Sequence, residues 1–478
     1  MIFASLLFVF FFLTLNLCSQ VLIPSAKGKN IAMLFFSLIF YTWTGVRCLV
    51  LMLLMVFICK IGAIAIENAG VKGTSKKRPL FFTVAACLTI LGIFKYTGFT
   101  ISTIDYVAGL DLPIPEIVLP IGISFYTFQL ISYVVDVYRE EIPAQKEYWR
   151  LLLYACLFHQ CIAGPIIRYQ DVHEDLMARK TNVDEIGRGI SRFCLGLMKK
   201  AVFANGCAVI ADRMLDLDFN ALSTAPALGL FLGLFAFGMQ IYMDFSGYSD
   251  MAIGMGLMCG LHYKENFNFP FISKSIAELW KRWHISLSTF FRDYVYIPLG
   301  GGRCSPLLQF RNLFIVWFLT GLWHGAEWNY VLWGLYFGML LAIKKFIIGN
   351  TFDWLPSIVQ IFITFFFFLM NLVIFKYSDI TMMLTAFKSL FCLNDNPLTN
   401  FGVELIFKNN MYFLILCTLA STPFFKIIYE ALEKSAATNK FSLVVYGLVE
   451  VLLPIAMFIL AANALAGDSY NPFIYFQF

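Results

Sequence analysis

The chain has 478 residues, 60% of them hydrophobic and 14% charged, where soluble domains carry about 45–50% apolar and about 25% charged residues. Its 35 Lys+Arg and 30 Asp+Glu cannot coat a soluble protein of this length, so most of the surface must face lipid. The net charge of +5 falls in short basic clusters between apolar runs, which argues against nucleic acid as a partner and fits the loops of a membrane protein.

The first apolar run, Met1 to Ile23, has no Lys or Arg before it and no small-x-small cleavage pattern, so it reads as a retained first helix and not as a signal peptide. The next run, Ile31–Cys59, is too long for one ordinary span, and Thr44-Gly45-Val46-Arg47 interrupts it like a turn between two short helices. With two helices there, Lys27/Lys29 and Lys72/Lys76/Lys77/Arg78 share one side of the membrane. Basic loops stay cytoplasmic, which leaves the N-terminus extracytoplasmic.

Runs of roughly 20 apolar residues, the length a spanning helix needs, continue near Leu80–Phe99, Ile117–Val137, Leu151–Ile167, Ile190–Ala211 and Ala227–Met243. Others follow near Leu313–Gly325, Val331–Ile348, Ile358–Phe375, Met411–Ile428 and Leu443–Ala466. Together they predict an all-α polytopic bundle. Gly260 to Arg303 breaks the pattern: it is too polar to span and too aromatic for a disordered loop. It is expected to be an interfacial or re-entrant segment lining a cavity.

The 12 cysteines contain no C-x-x-C pair, and the one Cys/His cluster, Cys156, His159 and Cys161, lacks a fourth ligand, so a disulfide framework and a metal site are both unsupported. No G-x-S-x-G elbow, phosphate-binding glycine loop or H-E-x-x-H pair occurs, which removes the hydrolase, nucleotide-driven and zincin readings.

Five histidines remain to be weighed. His159, His173 and His262 read as hydrogen-bonded or solvated. On a continuous helix through Trp280–Arg292, Trp280, Lys281, His284, Ser288 and Phe291 would share one face. That face either lines a cavity or is simply the wet side of an interfacial helix. His324, between Gly321 and Gly325 at the end of an apolar helix, is the strongest single candidate, because ionisable groups at membrane depth suggest function. A desolvated imidazole keeps a neutral, basic nitrogen, as a general base requires; the bland alternative is a polar contact between closely packed helices. Asp244 and Asp250 flank Phe245-Ser246-Gly247-Tyr248-Ser249 and are expected to pair with an Arg of Gly260–Arg303 or to orient a histidine.

At these residues the chain resembles the membrane-bound O-acyltransferase (MBOAT) family, especially its bacterial alginate O-acetylation branch, which is related to the teichoic acid D-alanyl transfer proteins. The matching stretches are Leu119–Gln129, Ala163-Gly164-Pro165-Ile166, Gln240–Asp250, Asn266-Phe267-Asn268-Phe269-Pro270, Trp280–Gly301, Gly321-Leu322-Trp323-His324-Gly325 and the tail Asn471–Phe478. The resemblance implies one integral membrane domain over residues 1–478, with core motifs in 119–338, a re-entrant segment at 260–303, and about 11–13 transmembrane helices around a central tunnel.

It also implies His324 and His284 as catalytic histidines, with Trp323, Ser288, Trp280, Lys281, Asp244 and Tyr248 as substrate- or tunnel-lining residues. The implied reaction carries an acetyl group from a cytoplasmic thioester donor, acetyl-CoA, to a cell-surface polysaccharide such as alginate or a cell-wall glycan. No tightly bound cofactor or metal is expected. An extracytoplasmic SGNH-type partner completes delivery, and the location is the bacterial inner membrane. The alternatives are D-alanyl transfer from a phosphopantetheinyl carrier protein and, from another class, a non-catalytic acyl conduit.

Overall fold

A computed structural model of the protein describes residues 3–160, 164–467 and 473. Cys161, Ala163 and the Asn471–Phe478 tail apart from Phe473 lie outside the described residues. Among the described residues the regular structure is helical throughout, with no strand. Within those residues, eight helices are long and apolar enough to cross a membrane: Val46–Val71, Lys77–Ala108, Val183–Leu215, Ala227–Met258, Trp328–Ile348, Ser357–Lys376, Phe401–Ala420 and Lys440–Gly467. The structure divides into two compact units, one of Met1–Phe193, Ser249–Glu265 and Arg292–Tyr294, the other of Cys194–Tyr248, Asn266–Phe291 and Val295–Phe478.

In the first unit, α1 (Ala26–Thr42) begins at Ser25, whose hydroxyl accepts the Gly28 N–H, satisfying an amide that the first helical turn leaves open. It ends where expected: Gly45, at φ +126°, turns the chain into α2 (Val46–Val71), in a backbone region open mainly to glycine. After α3 (Lys77–Ala108) comes α4 (Ile123–Tyr138), which buries 14 of its 16 residues. A helix buried all round is surrounded by protein, so the Ile117–Val137 run is a core helix and not a lipid-facing span. The run expected at Leu151–Ile167 is likewise a short buried helix, Tyr148–Cys156. A further helix, α5 (Val183–Met198), leads through a π-helical stretch, Lys199–Ala204, into Asn205–Leu215.

Both units take part of α6 (Ala227–Met258). Part of the rest of the second unit's core is a cluster of aromatic rings. Short helices α7 (Ile276–Arg282) and α8 (Ile285–Phe291) come first. The hairpin of α9 (Pro306–His324) and α10 (Trp328–Ile343) follows, and then α11 (Ser357–Lys376). Trp280, Trp317, Trp333 and Phe337 meet at ring separations of 4.8 to 5.8 Å in mostly edge-on pairs, the geometry that ring quadrupoles prefer.

The continuous helix expected over Trp280–Arg292 is not formed. It breaks between α7 and α8 at Trp283-His284, where His284 takes φ +43°. A non-glycine residue in that left-handed region carries roughly 1–3 kcal/mol of strain and is held there only by its surroundings.

Candidate active site

The second unit builds the site from three elements. His324 is the last residue of α9, which stops because Gly325 turns extended at φ −159°. Helices α9 and α10 touch backbone to backbone along a glycine seam. A Cβ placed on Gly321 would stand 2.4 Å from the Tyr330 carbonyl oxygen, and one on Gly334 would stand 2.3 Å from that of Trp317. The seam clamps the end of α9 and places the imidazole of His324 4.6 Å from the Trp333 ring, at 65°.

Beside it lies a cavity of about 50 Å³ lined by Phe245, Trp280, Trp283, Phe368, Phe375 and Phe473 among others. At about 10–15 Å³ per water-sized group, it holds about three to five such groups. His324 is its one ionisable lining residue among the described residues. The site therefore offers a basic nitrogen at the edge of a narrow dry slot, an arrangement suited to moving a proton beside a small apolar group.

His284 is fully buried. Its ring stands edge-on to Phe245 at 4.6 Å and 5.8 Å from the Trp323 ring. Burial and the neighbouring imidazole of His324 push its pKa well below the ordinary histidine value, so the ring is neutral at pH 7. Its Nδ1 faces Asn266 Oδ1 at 3.3 Å.

The other candidates divide. Trp280 lines the cavity, and the Trp323 ring stands between the two histidines. Tyr248 packs behind the cavity wall, its ring 5.1 Å from Phe473. Asp244 lies 2.8 Å from Lys200 in a buried ion pair, and Asp250 pairs with Arg192 of α5. The cations seen beside the two aspartates thus belong to residues 192–200, where an Arg of Gly260–Arg303 was expected. Lys281 of α7 is exposed and does not line the cavity; Ser288 is half-buried and does not line it either, since the break at His284 ends the continuous helix on which it would share a face with Trp280.

His159 bonds Tyr263, His173 bonds Tyr169, and His262 sits between Asp175 and Glu185. Sequence reasoning missed most of the aromatic lining, and two of the residues it missed stand out. Phe473 lines the cavity and Asn266 holds His284; both belong to stretches quoted above only for resemblance.

The family model for the membrane-bound O-acyltransferase family, MBOAT, matches residues 11–387. The chain is 35% identical over 509 residues to the "Probable alginate O-acetylase AlgI" of Azotobacter vinelandii, with all of both chains covered. It is 30% identical to the peptidoglycan O-acetyltransferase of Helicobacter pylori, over 84% of this chain and 82% of that one. To the teichoic acid D-alanyltransferase of Bacillus subtilis it is 31% identical, over 54% of this chain and 68% of that one. Matched by that model over most of its length, and with eight membrane-length helices among its described residues, the chain belongs to the membrane-bound O-acyltransferases.

Proposed function

We propose that this acyltransferase carries an acetyl group from a cytoplasmic thioester, acetyl-CoA, toward the hydroxyls of a cell-surface polysaccharide such as alginate or a cell-wall glycan. It works in the bacterial inner membrane, and an SGNH-type partner completes delivery outside. A hydroxyl oxygen attacks the thioester carbonyl, the C–O bond forms, the C–S bond breaks, and the hydroxyl proton passes through His324 to the departing thiolate. Positioned proton transfer of this kind contributes roughly 10²–10⁴-fold. His284 and Trp323 hold the reacting groups beside it.

The observation that carries the reading is the cavity at His324: small, apolar and without a carboxylate among its described lining residues. An acetyl group has three heavy atoms and no charge, and the slot suits it. A D-alanyl group adds an ammonium, whose burial without a counter-charge costs several kcal/mol. The extent of similarity points the same way, full-length to the acetylase and about half of this chain to the D-alanyltransferase. A passive conduit would not need a basic nitrogen at the slot.

His324→Ala protein, inserted and folded, is expected to lose at least about 10²-fold in acyl transfer; transfer at the normal rate would overturn the assignment. Mass spectrometry of surface glycans after loss of the protein separates the donors. Missing acetyl esters support the acetyl reading, and missing D-alanyl esters refute it.

A further inference from the structure

Helix α8 has only seven residues, and its first two amides are satisfied from far upstream. The Ile285 N–H donates to the Asn266 backbone oxygen at 2.9 Å, and the Ser286 N–H donates to Asn266 Oδ1 at 3.1 Å. Asn266 thus caps the helix from 19 and 20 positions upstream, and in doing so holds the break at which His284 adopts φ +43°.

The same contacts decide a protonation state. A backbone N–H can only donate, so the Asn266 atom it meets is the carbonyl oxygen and not the amide nitrogen. The Ser286 hydroxyl donates its one hydrogen to that oxygen as well, at 2.9 Å, so toward His284 Nδ1, 3.4 Å away, it can only accept. The third neighbour is His284 Nδ1, at 3.3 Å. A ring lone pair pointed at this oxygen would be repelled, so Nδ1 bears the hydrogen and donates it. In a neutral imidazole the lone pair then resides on Nε2, which is buried and has no hydrogen-bond partner among the described residues.

Building on the acyl-transfer reading above, we propose that Asn266 is the positioning residue of this site. It caps α8 and takes the Nδ1 hydrogen of His284, and so fixes the tautomer that leaves the ring's lone pair on Nε2. A neutral amide behind the ring, where a carboxylate would support imidazolium, keeps His284 neutral and leaves the hydroxyl proton to His324. The groups around the ring agree with a neutral role: Phe245, Phe267 and Trp323 carry no charge, and His324 is the titratable neighbour.

Solid-state NMR of the full-length protein in lipid, with ¹⁵N-histidine and the His284 signals assigned by their loss in His284→Asn, reads the tautomer directly. The expected state at neutral pH is a protonated Nδ1 and a bare Nε2; the opposite tautomer overturns the proposal. In turnover assays, Asn266→Leu is expected to lower kcat by at least about 10²-fold, the scale of a misplaced tautomer, with KM for the donor within about twofold. Asn266→Asp keeps the acceptor but adds a charge, and is expected to raise the acidic limb of the kcat–pH profile by about one unit or more.

An unshifted profile in Asn266→Asp overturns the proposal even if the leucine variant fails to fold. The two readings separate cleanly. Activity surviving in His324→Ala removes the proton-transfer reading, whereas an inactive His324→Ala together with an Nε2-protonated His284 removes the Asn266 assignment alone.

Discussion

Gly321→Ala tests whether the backbone seam between α9 and α10 sets the position of His324. The added Cβ would stand 2.4 Å from the Tyr330 carbonyl oxygen and 3.0 Å from the Val331 Cα. Ordinary contact begins near 3.4 Å, so the helices must part by about 1 Å. Both opposing atoms are backbone, and no rotamer change relieves them. Overpacking of this kind costs about 1–3 kcal/mol. His324 lies three residues further along the same helix and is expected to move with it; a 1 Å misplacement of a reacting group can cost about 10²-fold in rate.

The assay is transfer from labelled acetyl-CoA by protein in vesicles, run beside a thermal melt of the same preparation. The control is Gly447→Ala, in an exposed helix where an added Cβ meets nothing within 4 Å; there a helix-favouring substitution gains up to about 1 kcal/mol and leaves kcat unchanged. Gly321→Ala is expected to melt lower and to lose on the order of 10²-fold in kcat. A variant with wild-type kcat and melting temperature would refute the seam as the device that places the histidine.

Two further outcomes follow from charges outside the cavity. Burial lowers the His262 pKa, but Asp175 and Glu185 outweigh it and hold it above the ordinary value of 6.5. Its contribution is therefore complete below that value and fades as pH rises through the folded-state pKa. Wild type should melt above His262→Gln at about pH 5.5, by less than about 1 kcal/mol for so exposed a pair, and match it at about pH 8.5; an equal difference at both pH values would contradict this. Lys200→Met removes the cation 2.8 Å from buried Asp244 and should destabilise by about 3–5 kcal/mol, while the double variant Lys200→Met/Asp244→Leu recovers most of the loss. A double variant no more stable than the single one would place the cost elsewhere.

Hydropathy is a property of local composition, so the membrane-length helices and the turn at Gly45 were legible in the residues alone. It does not report what a helix faces. Ile117–Val137 looked like a lipid span, yet α4 is shorter and enclosed by protein. The break at His284 left no local mark, since no glycine or proline stands between Trp280 and Arg292. Its cause is a capping residue nearly 20 positions away, and tertiary partners at that distance override any helical pattern in the segment. His324 could be singled out because an isolated ionisable residue between two glycines is improbable at membrane depth. Asn266 could not, because an asparagine in a polar segment looks like any loop residue until its acceptors are seen to meet the helix it caps.

Where two helices touch through glycine and carbonyl, no side chain lies between them to be exchanged, so the spacing and angle of α9 and α10 cannot change by small evolutionary steps. The cavity wall on α11, Phe368, Leu372 and Phe375, is made of side chains that substitute one methylene at a time. Diversification toward larger acyl groups would then run through α11, with the α9–α10 hairpin as the invariant reference against which the new volume is measured.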